Sequence, residues 1–302
     1  MSSEVAKTEA FALAPKFFGI IAMNKEESLI EIANEFITSD KTVLRPFDRN
    51  TLRIQQEIGK EEPDTRLIEK LIASDPALTS QVLRLANSAF YKGLTKIFTI
   101  RNAMIRIGIT EIANIVSLVT HQKNFHSKDA VVREILGKLW AHSVGCAIGS
   151  QWLATKCGRR DLCHEAFISG LLHDVGKLFL ITTIDTIRAS GRIASRPSPE
   201  LISELMDSMH VKFGYALLET WNLPDAYCEV ALRHHDEECE GNNTLLMLVR
   251  LGNCACRKMG IGLHDDPSLL LAATPEAHFL SLSELALAEL EIKLEDALKL
   301  SL

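Results

Sequence analysis

The segment GLLHDVGKL, residues 170–178, places a histidine–aspartate pair inside an otherwise apolar helical stretch. His173 and Asp174 are adjacent, and on one continuous helix they would point about 100° apart. Lys177 lies one turn beyond His173, and Gly170 and Gly176 flank the pair, which would let another helix approach closely. Imidazole and carboxylate groups buried together suit a divalent metal. The segment therefore predicts a metal-binding dyad or the structural remains of one.

Other polar side chains also interrupt apolar stripes. His142 and Asn253 replace apolar residues on two helical faces, His210 stands in HVKFGYALLETWNLP, and at least one of His234 and His235 should face inward. A lone core histidine is more often hydrogen-bonded than used as a ligand. Five histidines and an aspartate brought together by several helices instead favour a past or present site for Fe, Mn, Zn or Mg. A buried hydrogen-bond network stays open as the alternative.

The composition excludes several classes of protein. The 302 residues are 47% apolar and 24% charged, which is typical of a globular chain. The net charge is −6 and the longest Lys/Arg run is Arg159-Arg160, so nucleic acid is disfavoured as the main target. The start has no signal-peptide pattern and no apolar run approaches the ~20 residues of a membrane span, so we expect a cytoplasmic protein without membrane attachment.

The cysteines fit a reducing compartment. Their number is odd and none form a C-x-x-C pair, which favours reduced thiols, several of them on apolar helix faces. The seven are Cys146, Cys157, Cys163, Cys228, Cys239, Cys254 and Cys256.

The periodicity is helical throughout, so we predict an all-α fold. Asp75-Pro76 should open one helix, Thr99 should cap a second that Gly108 ends, and Thr110 should begin a third. A long helix is expected from about Val132 to Cys157, with Gly158 as a left-handed cap.

The two ends of the chain look peripheral. Residues 1–42 contain one amphipathic helix with Leu29, Ile32, Ala33, Phe36 and Ile37 on its apolar face. Near the other end, Ser281 and Glu284 form a potential capping box. The stripe that follows should pack on the core, and less often would meet a partner helix; it comprises Leu287, Leu290, Leu294 and Leu298.

The order of these polar positions resembles the HD superfamily of metal-dependent phosphohydrolases. The segments LIASDPALTSQVLRLANSAFY, TIRNAMIRIGITEIANIV and HVKFGYALLETWNLPDAYCEVALRHHD narrow the resemblance to the HDOD domain, the HD-related output domain of bacterial signalling proteins. It covers about Val43 to Glu240. We therefore expect an N-terminal helical extension (1–42), an HDOD domain (43–240) that includes an N-terminal helical subdomain, and C-terminal helices packing on or extending the HD-like core (241–302).

The resemblance implies a set of metal ligands. His142, His173 and Asp174 match the mononuclear set, but Asn253 stands where the last aspartate is expected, and a neutral amide is a weaker ligand. His210, His234 and His235 would complete a second metal site. We expect weak or partial metal occupancy.

The implied function is a bacterial signalling module that acts through protein partners, which the sequence does not name, and without turnover. The alternative is an HD-type phosphohydrolase or phosphodiesterase in which Lys177 faces a substrate phosphate. A nucleotide sensor that binds without hydrolysis is a third reading.

Overall fold

The computed structural model describes residues 44, 48–91, 93, 95–191, 197–236 and 243–301. Within these ranges the chain forms α-helices and two short 3₁₀ turns (Arg160–Leu162 and Leu271–Ala273) without a strand, which confirms the predicted all-α class. The amphipathic helix predicted within residues 1–42 and Cys239 lie outside the described residues. The helices are α1 Arg49–Ile58, α2 Thr65–Ala73, α3 Pro76–Ala86, α4 Ile100–Ile107, α5 Ile109–Gln122, α6 Ala130–Lys156, α7 Cys163–Leu172, α8 Val175–Ala189, α9 Pro199–Thr220, α10 Asp225–Arg233, α11 Thr244–Lys258, α12 Pro275–Phe279 and α13 Glu284–Ser301.

Helices α1 to α5 enclose a small apolar core. Asp75 caps α3 by accepting hydrogen bonds from the backbone N–H groups of Ala77 and Leu78, and Thr99 caps α4, as predicted. Gly108, at a φ of +92°, turns the chain by 119° between α4 and α5. Helix α5 begins at Ile109 rather than at the predicted Thr110. The buried core includes Ile54, Ile68, Ile72, Leu78, Val82, Ile112, Ile115 and Val119.

The long helix α6 is the centre of the remaining structure and packs against α7, α11 and α13. It ends at Lys156, and Gly158 follows at a φ of +73°, close to the predicted boundary and in the predicted left-handed conformation. Within the described residues, one helical stretch, Arg160–Ala189, is long and apolar enough to cross a membrane. Of its most apolar window, 94% is buried inside the protein, as expected of a core element.

The histidine–aspartate pair lies in a break between two helices. Helix α7 ends at Leu172 and α8 begins at Val175, so the prediction of one helix through His173 and Asp174 is wrong. The flanking glycines do allow close packing, as expected. A Cβ on Gly170 would lie 2.6 Å from the carbonyl oxygen of Cys146 on α6, and one on Gly176 would lie 1.9 Å from that of His210 on α9.

The C-terminal helix α13 packs on the core, as favoured from its sequence. Leu287, Leu290 and Leu294 are buried in the cluster that α6 and α11 also form. The predicted cap at Ser281 is wrong, because this residue has a φ of +53° and lies in the preceding turn. Ser283 caps the helix instead. Its hydroxyl accepts a hydrogen bond from the backbone N–H of Ala286, and its carbonyl accepts one from the backbone N–H of Leu287.

Candidate metal centre

Four imidazole nitrogens converge on the carboxylate of Asp174. The Nε2 atoms of His142 and His173 lie 3.5 and 3.6 Å from its Oδ2. The Nε2 atoms of His210 and His234 each lie 3.4 Å from its Oδ1, and 3.3 Å from one another. Asp174 therefore separates two sets of donor atoms, one on each of its oxygens.

Backbone carbonyls fix the orientation of all four rings. Each Nδ1 faces a main-chain oxygen, at distances between 2.6 and 3.0 Å: His142 to Ile261, His173 to Gly170, His210 to Met206 and His234 to Ala231. A carbonyl only accepts a hydrogen bond, so Nδ1 is the protonated nitrogen in the neutral ring. The Nε2 lone pairs consequently point at the carboxylate. In this tautomer, with the proton on Nδ1, Nε2 is free to bind a metal.

Burial determines the charge on these groups. It lowers the pKa of His173 well below its usual range and that of His210 to about 4, so both rings are neutral near pH 7. Burial would raise the pKa of Asp174, but Lys177, His173 and further histidines more than offset this and hold it well below its usual range. The Asp174 carboxylate therefore lies beside two neutral imidazoles, those of His173 and His210.

Two buried atoms in the centre have no hydrogen-bond partner among the described residues. They are Nε2 of His173 and Oδ1 of Asp174. An unpaired buried polar atom is costly, and His210 and His234 present lone pairs to each other and to Oδ1. A divalent cation among these atoms would satisfy all of them, so the residues fit a metal.

The two sets differ in composition. One contains His142, His173 and the thiol of Cys146, whose ligand atoms all lie within 4.8 Å of one another. The other contains Asp174, His210, His234 and the exposed His235, also within 4.8 Å. From the sequence, Cys146 was counted among the reduced thiols and was not predicted as a ligand.

Lys177 contacts Asp174 directly. Its ammonium donates to Oδ2 at 2.8 Å, and both side chains are buried. It lies at the wall of the cavity, and this bond uses one of the three donors of its ammonium group.

A cavity of about 340 Å³ opens onto the centre. Asn253 is buried in its wall, as predicted from its stripe on α11. Sequence reasoning missed Arg257, one turn further along α11, and Asp207 with His264, whose side chains pair at 3.0 Å. These three are not buried, so no interruption of an apolar stripe marked them.

A second buried thiol, that of Cys256, lies beside His142 and Cys146. Sγ of Cys146 lies 3.5 Å from Nε2 of His142 and 3.7 Å from Sγ of Cys256. A hydrogen bond from Cys146 lowers the pKa of the Cys256 thiol to about 6, with His142 acting in the same direction against burial. Burial would lower the pKa of His142, but contact with Cys256 raises it overall.

The sequence model of the HDOD domain matches residues 44–237, which is more than half of the chain. The protein therefore belongs to the HDOD family. Its fold brings the HD pair and three further inward-facing histidine positions to one centre, while α11, which carries Asn253, lies beyond the matched region.

Known proteins resemble this chain in sequence or in fold. An uncharacterized protein of Treponema pallidum (strain Nichols) is 28% identical over 195 residues, which is 61% of this chain and 36% of that one, so the match spans about a third of the relative. An HDOD domain protein of unknown function from Geobacter sulfurreducens has a TM-score of 0.70 at 23% identity, covering 90% of this chain and 96% of its own.

Two further solved structures carry functional descriptions. A candidate metal-dependent phosphohydrolase from Shewanella amazonensis has a TM-score of 0.65 at 20% identity, covering 90% of this chain and 97% of its own. A candidate signal transduction protein from Marinobacter aquaeolei has a TM-score of 0.62 at 19% identity, covering 92% and 61%. At these identities the likeness concerns the fold.

Proposed function

We propose that this chain is a cytoplasmic bacterial signal-transduction module of the HDOD type, which acts through protein contacts and does not turn over a substrate. Its buried centre would hold a divalent metal, and its cavity would receive a small ligand, a nucleotide being one chemistry that fits. Membership of the HDOD family supports this proposal, as does the fold shared with the signal transduction protein of Marinobacter aquaeolei.

The observation that carries the proposal is the small number of anionic groups at the candidate metal centre. Among the donor atoms that cluster within the described residues, Asp174 supplies the one carboxylate, and the Lys177 ammonium donates to it at 2.8 Å. Asn253, a neutral amide, occupies the cavity wall where the resemblance leads us to expect an aspartate. Hydrolysis by a metal centre needs anionic groups that anchor the ion and orient a water molecule, and this centre is short of them.

The second candidate is an HD-type phosphohydrolase. The cavity itself favours it, because Lys177 and Arg257 line it and could bind a phosphate, and the Asp207–His264 pair could move a proton at its wall. His142, His173 and Asp174 would hold one ion, and His210, His234 and His235 another with Asp174. A bound ion would supply Lewis acidity and lower the pKa of a coordinated water.

Metal content and turnover separate the two candidates. Protein purified without chelators or a metal-affinity tag would be assayed for bound metal and for hydrolysis of a generic phosphodiester and of cyclic dinucleotides, in Mn²⁺ and in Fe²⁺. We expect wild-type turnover no higher than that of His173→Ala. Asn253→Asp should retain more metal because it returns a negative charge to the cavity wall.

The matched control is His278→Ala, which removes an exposed histidine on α12 and should leave metal content unchanged. Robust wild-type turnover that disappears in His173→Ala but persists in His278→Ala would reject the signalling proposal and establish the hydrolase.

A further inference from the structure

One face of helix α6 presents two potential ligands, one turn apart. His142 and Cys146 are both buried, and Sγ of Cys146 lies 3.5 Å from Nε2 of His142. His173 approaches from the break between α7 and α8, and its ligand atom lies within 4.8 Å of those of His142 and Cys146. Its Nε2 has no hydrogen-bond partner among the described residues. A thiol is therefore part of the donor set on the Oδ2 side of Asp174.

The spacing of these atoms matches a tetrahedral coordination sphere. Zinc bonds of about 2.0–2.1 Å to nitrogen and about 2.3 Å to sulfur put neighbouring N and S ligands about 3.6 Å apart, and N and O ligands about 3.4 Å apart. The observed separations are 3.5 Å for His142 and Cys146, 3.5 Å for His142 and Asp174, and 3.6 Å for His173 and Asp174. These three separations match those between neighbouring ligands of one ion, and Cys146 lies within 4.8 Å of both histidines.

The thiol also compensates for a missing charge. Asn253 contributes no negative charge to the cavity wall, and Asp174 shares its own with Lys177 and with the second donor set. A Cys146 thiolate would restore one formal negative charge to the ion. Thiolate is a soft ligand, and soft ligands discriminate against Mg²⁺ and Mn²⁺ in favour of Zn²⁺.

We propose that Cys146 is a metal ligand, and that Cys146, His142, His173 and Asp174 form a mixed thiolate–imidazole–carboxylate site selective for Zn²⁺. Binding breaks the S–H bond of Cys146, forms a sulfur–metal bond and releases the proton to solvent. This inference rests on the proposed function in so far as that function includes a metal, and it adds a ligand that the resemblance does not supply.

Cobalt substitution tests the ligand directly. Co²⁺ would be titrated into metal-free, reduced full-length protein while bound cobalt and near-ultraviolet absorption are measured. A thiolate bound to Co²⁺ gives an intense charge-transfer band, whereas imidazole and carboxylate do not. We expect the band in wild type and its loss in Cys146→Ser, with Zn²⁺ affinity lowered more than about tenfold.

Two cysteine variants serve as controls. Cys228→Ser removes a buried thiol that hydrogen-bonds the Leu223 carbonyl instead of the site. Cys256→Ser removes the thiol that contacts Cys146. Both should keep the charge-transfer band, and far-ultraviolet circular dichroism would verify that each variant is folded. Zinc X-ray absorption of wild type adds a test without substitution, and should show a sulfur neighbour at about 2.3 Å.

The outcomes separate this inference from the proposed function. Stoichiometric Co²⁺ without a thiolate band, or a band that survives in Cys146→Ser, overturns the ligand assignment and leaves the metal centre standing. A band lost only in Cys256→Ser would assign the ligand to Cys256 and reject Cys146. Failure of wild type to bind Co²⁺ or Zn²⁺ at all would reject both the metal centre and its thiolate.

Discussion

At the residue scale, burial makes several histidines neutral in the folded protein. It lowers the pKa of His210 and His164 to about 4 and that of His173 well below its usual range. In the unfolded chain a histidine has a pKa of about 6.5 and takes up protons as the pH falls through this value. The unfolded state then binds more protons than the folded state, so stability is complete above about pH 6.5 and is lost as the pH falls toward 4.

We predict that the free energy of unfolding of the metal-free protein decreases between pH 7.5 and 5. Each such histidine contributes up to about 1.4 kcal/mol per pH unit at full effect, in a range above the usual carboxylate pKa values. Urea unfolding at constant ionic strength measures the slope.

Variants identify the source of this slope. His164→Gln keeps a donor for the side-chain oxygen of Asn114, 2.7 Å from Nδ1 of His164, but cannot titrate, so its slope should be shallower. His278→Gln, at an exposed position, should match wild type. Equal wild-type stability at pH 7.5 and 5 would contradict neutral buried imidazoles.

Residue type and spacing predicted only part of the candidate site. His142, His173 and His210 stood out because a polar side chain on an apolar stripe must have a partner in the core. Arg257 and His264 gave no such signal, because charged residues are ordinary at positions that are not buried. Only the tertiary structure shows that their side chains line the same cavity.

At the scale of helices, glycine sets the separation between α8 and α9. A Cβ on Gly176 would lie 1.9 Å from the His210 carbonyl oxygen and 2.7 Å from the backbone nitrogen of Gly214. Backbone atoms cannot move aside as a side-chain end can, so the two helices would have to separate. This would also draw His210 away from Asp174, which lies one residue before α8.

We predict that Gly176→Ala destabilises the protein by about 1–3 kcal/mol or more and reduces metal retention. The matched control is Gly137→Ala on α6, where an added Cβ meets nothing within 4 Å. This second substitution should stabilise by about 0.5–1 kcal/mol, because alanine loses less backbone entropy in a helix. Chemical denaturation measures both. Gly176→Ala with wild-type stability would show that the close packing is not required.

Helix boundaries were predictable where a local signal marks them. The side chains of Asp75 and Thr99 cap the starts of α3 and α4, and Gly158 follows the end of α6 with a positive φ, each as expected. The break at His173 and Asp174 contains neither glycine nor proline, so no local sequence signal predicts that a helix ends there. Ser281 and Ser283 both lie shortly before Glu284, and the sequence alone does not decide which serine caps the helix and which lies in the turn.

At the scale of the whole molecule, the N-terminal helices α1 to α5 are joined by polar and apolar contacts to the remaining helices, α6 to α13, called here the HD-like half. Asn114 on α5 pairs with His164 on α7, and Glu111 accepts from Gln151 on α6 at 2.8 Å. Phe125, just after α5, packs against Trp140 with the rings tilted at 54° and 5.1 Å between their centroids. These contacts join the two groups of helices within the described residues, and that they form one cooperative unit stays a prediction.

We predict that the two halves unfold together. The three tryptophans, Trp140, Trp152 and Trp221, all lie in the HD-like half, whereas far-ultraviolet circular dichroism reports on every helix. Ile54 is fully buried in the N-terminal core, and Ile54→Ala should cost about 2–5 kcal/mol there. In a cooperative molecule this variant shifts the tryptophan fluorescence and circular dichroism midpoints equally, although the N-terminal core cluster, as described, contains no tryptophan. A shift in circular dichroism alone, or release of either half as a stable fragment by limited proteolysis, would show two independent units.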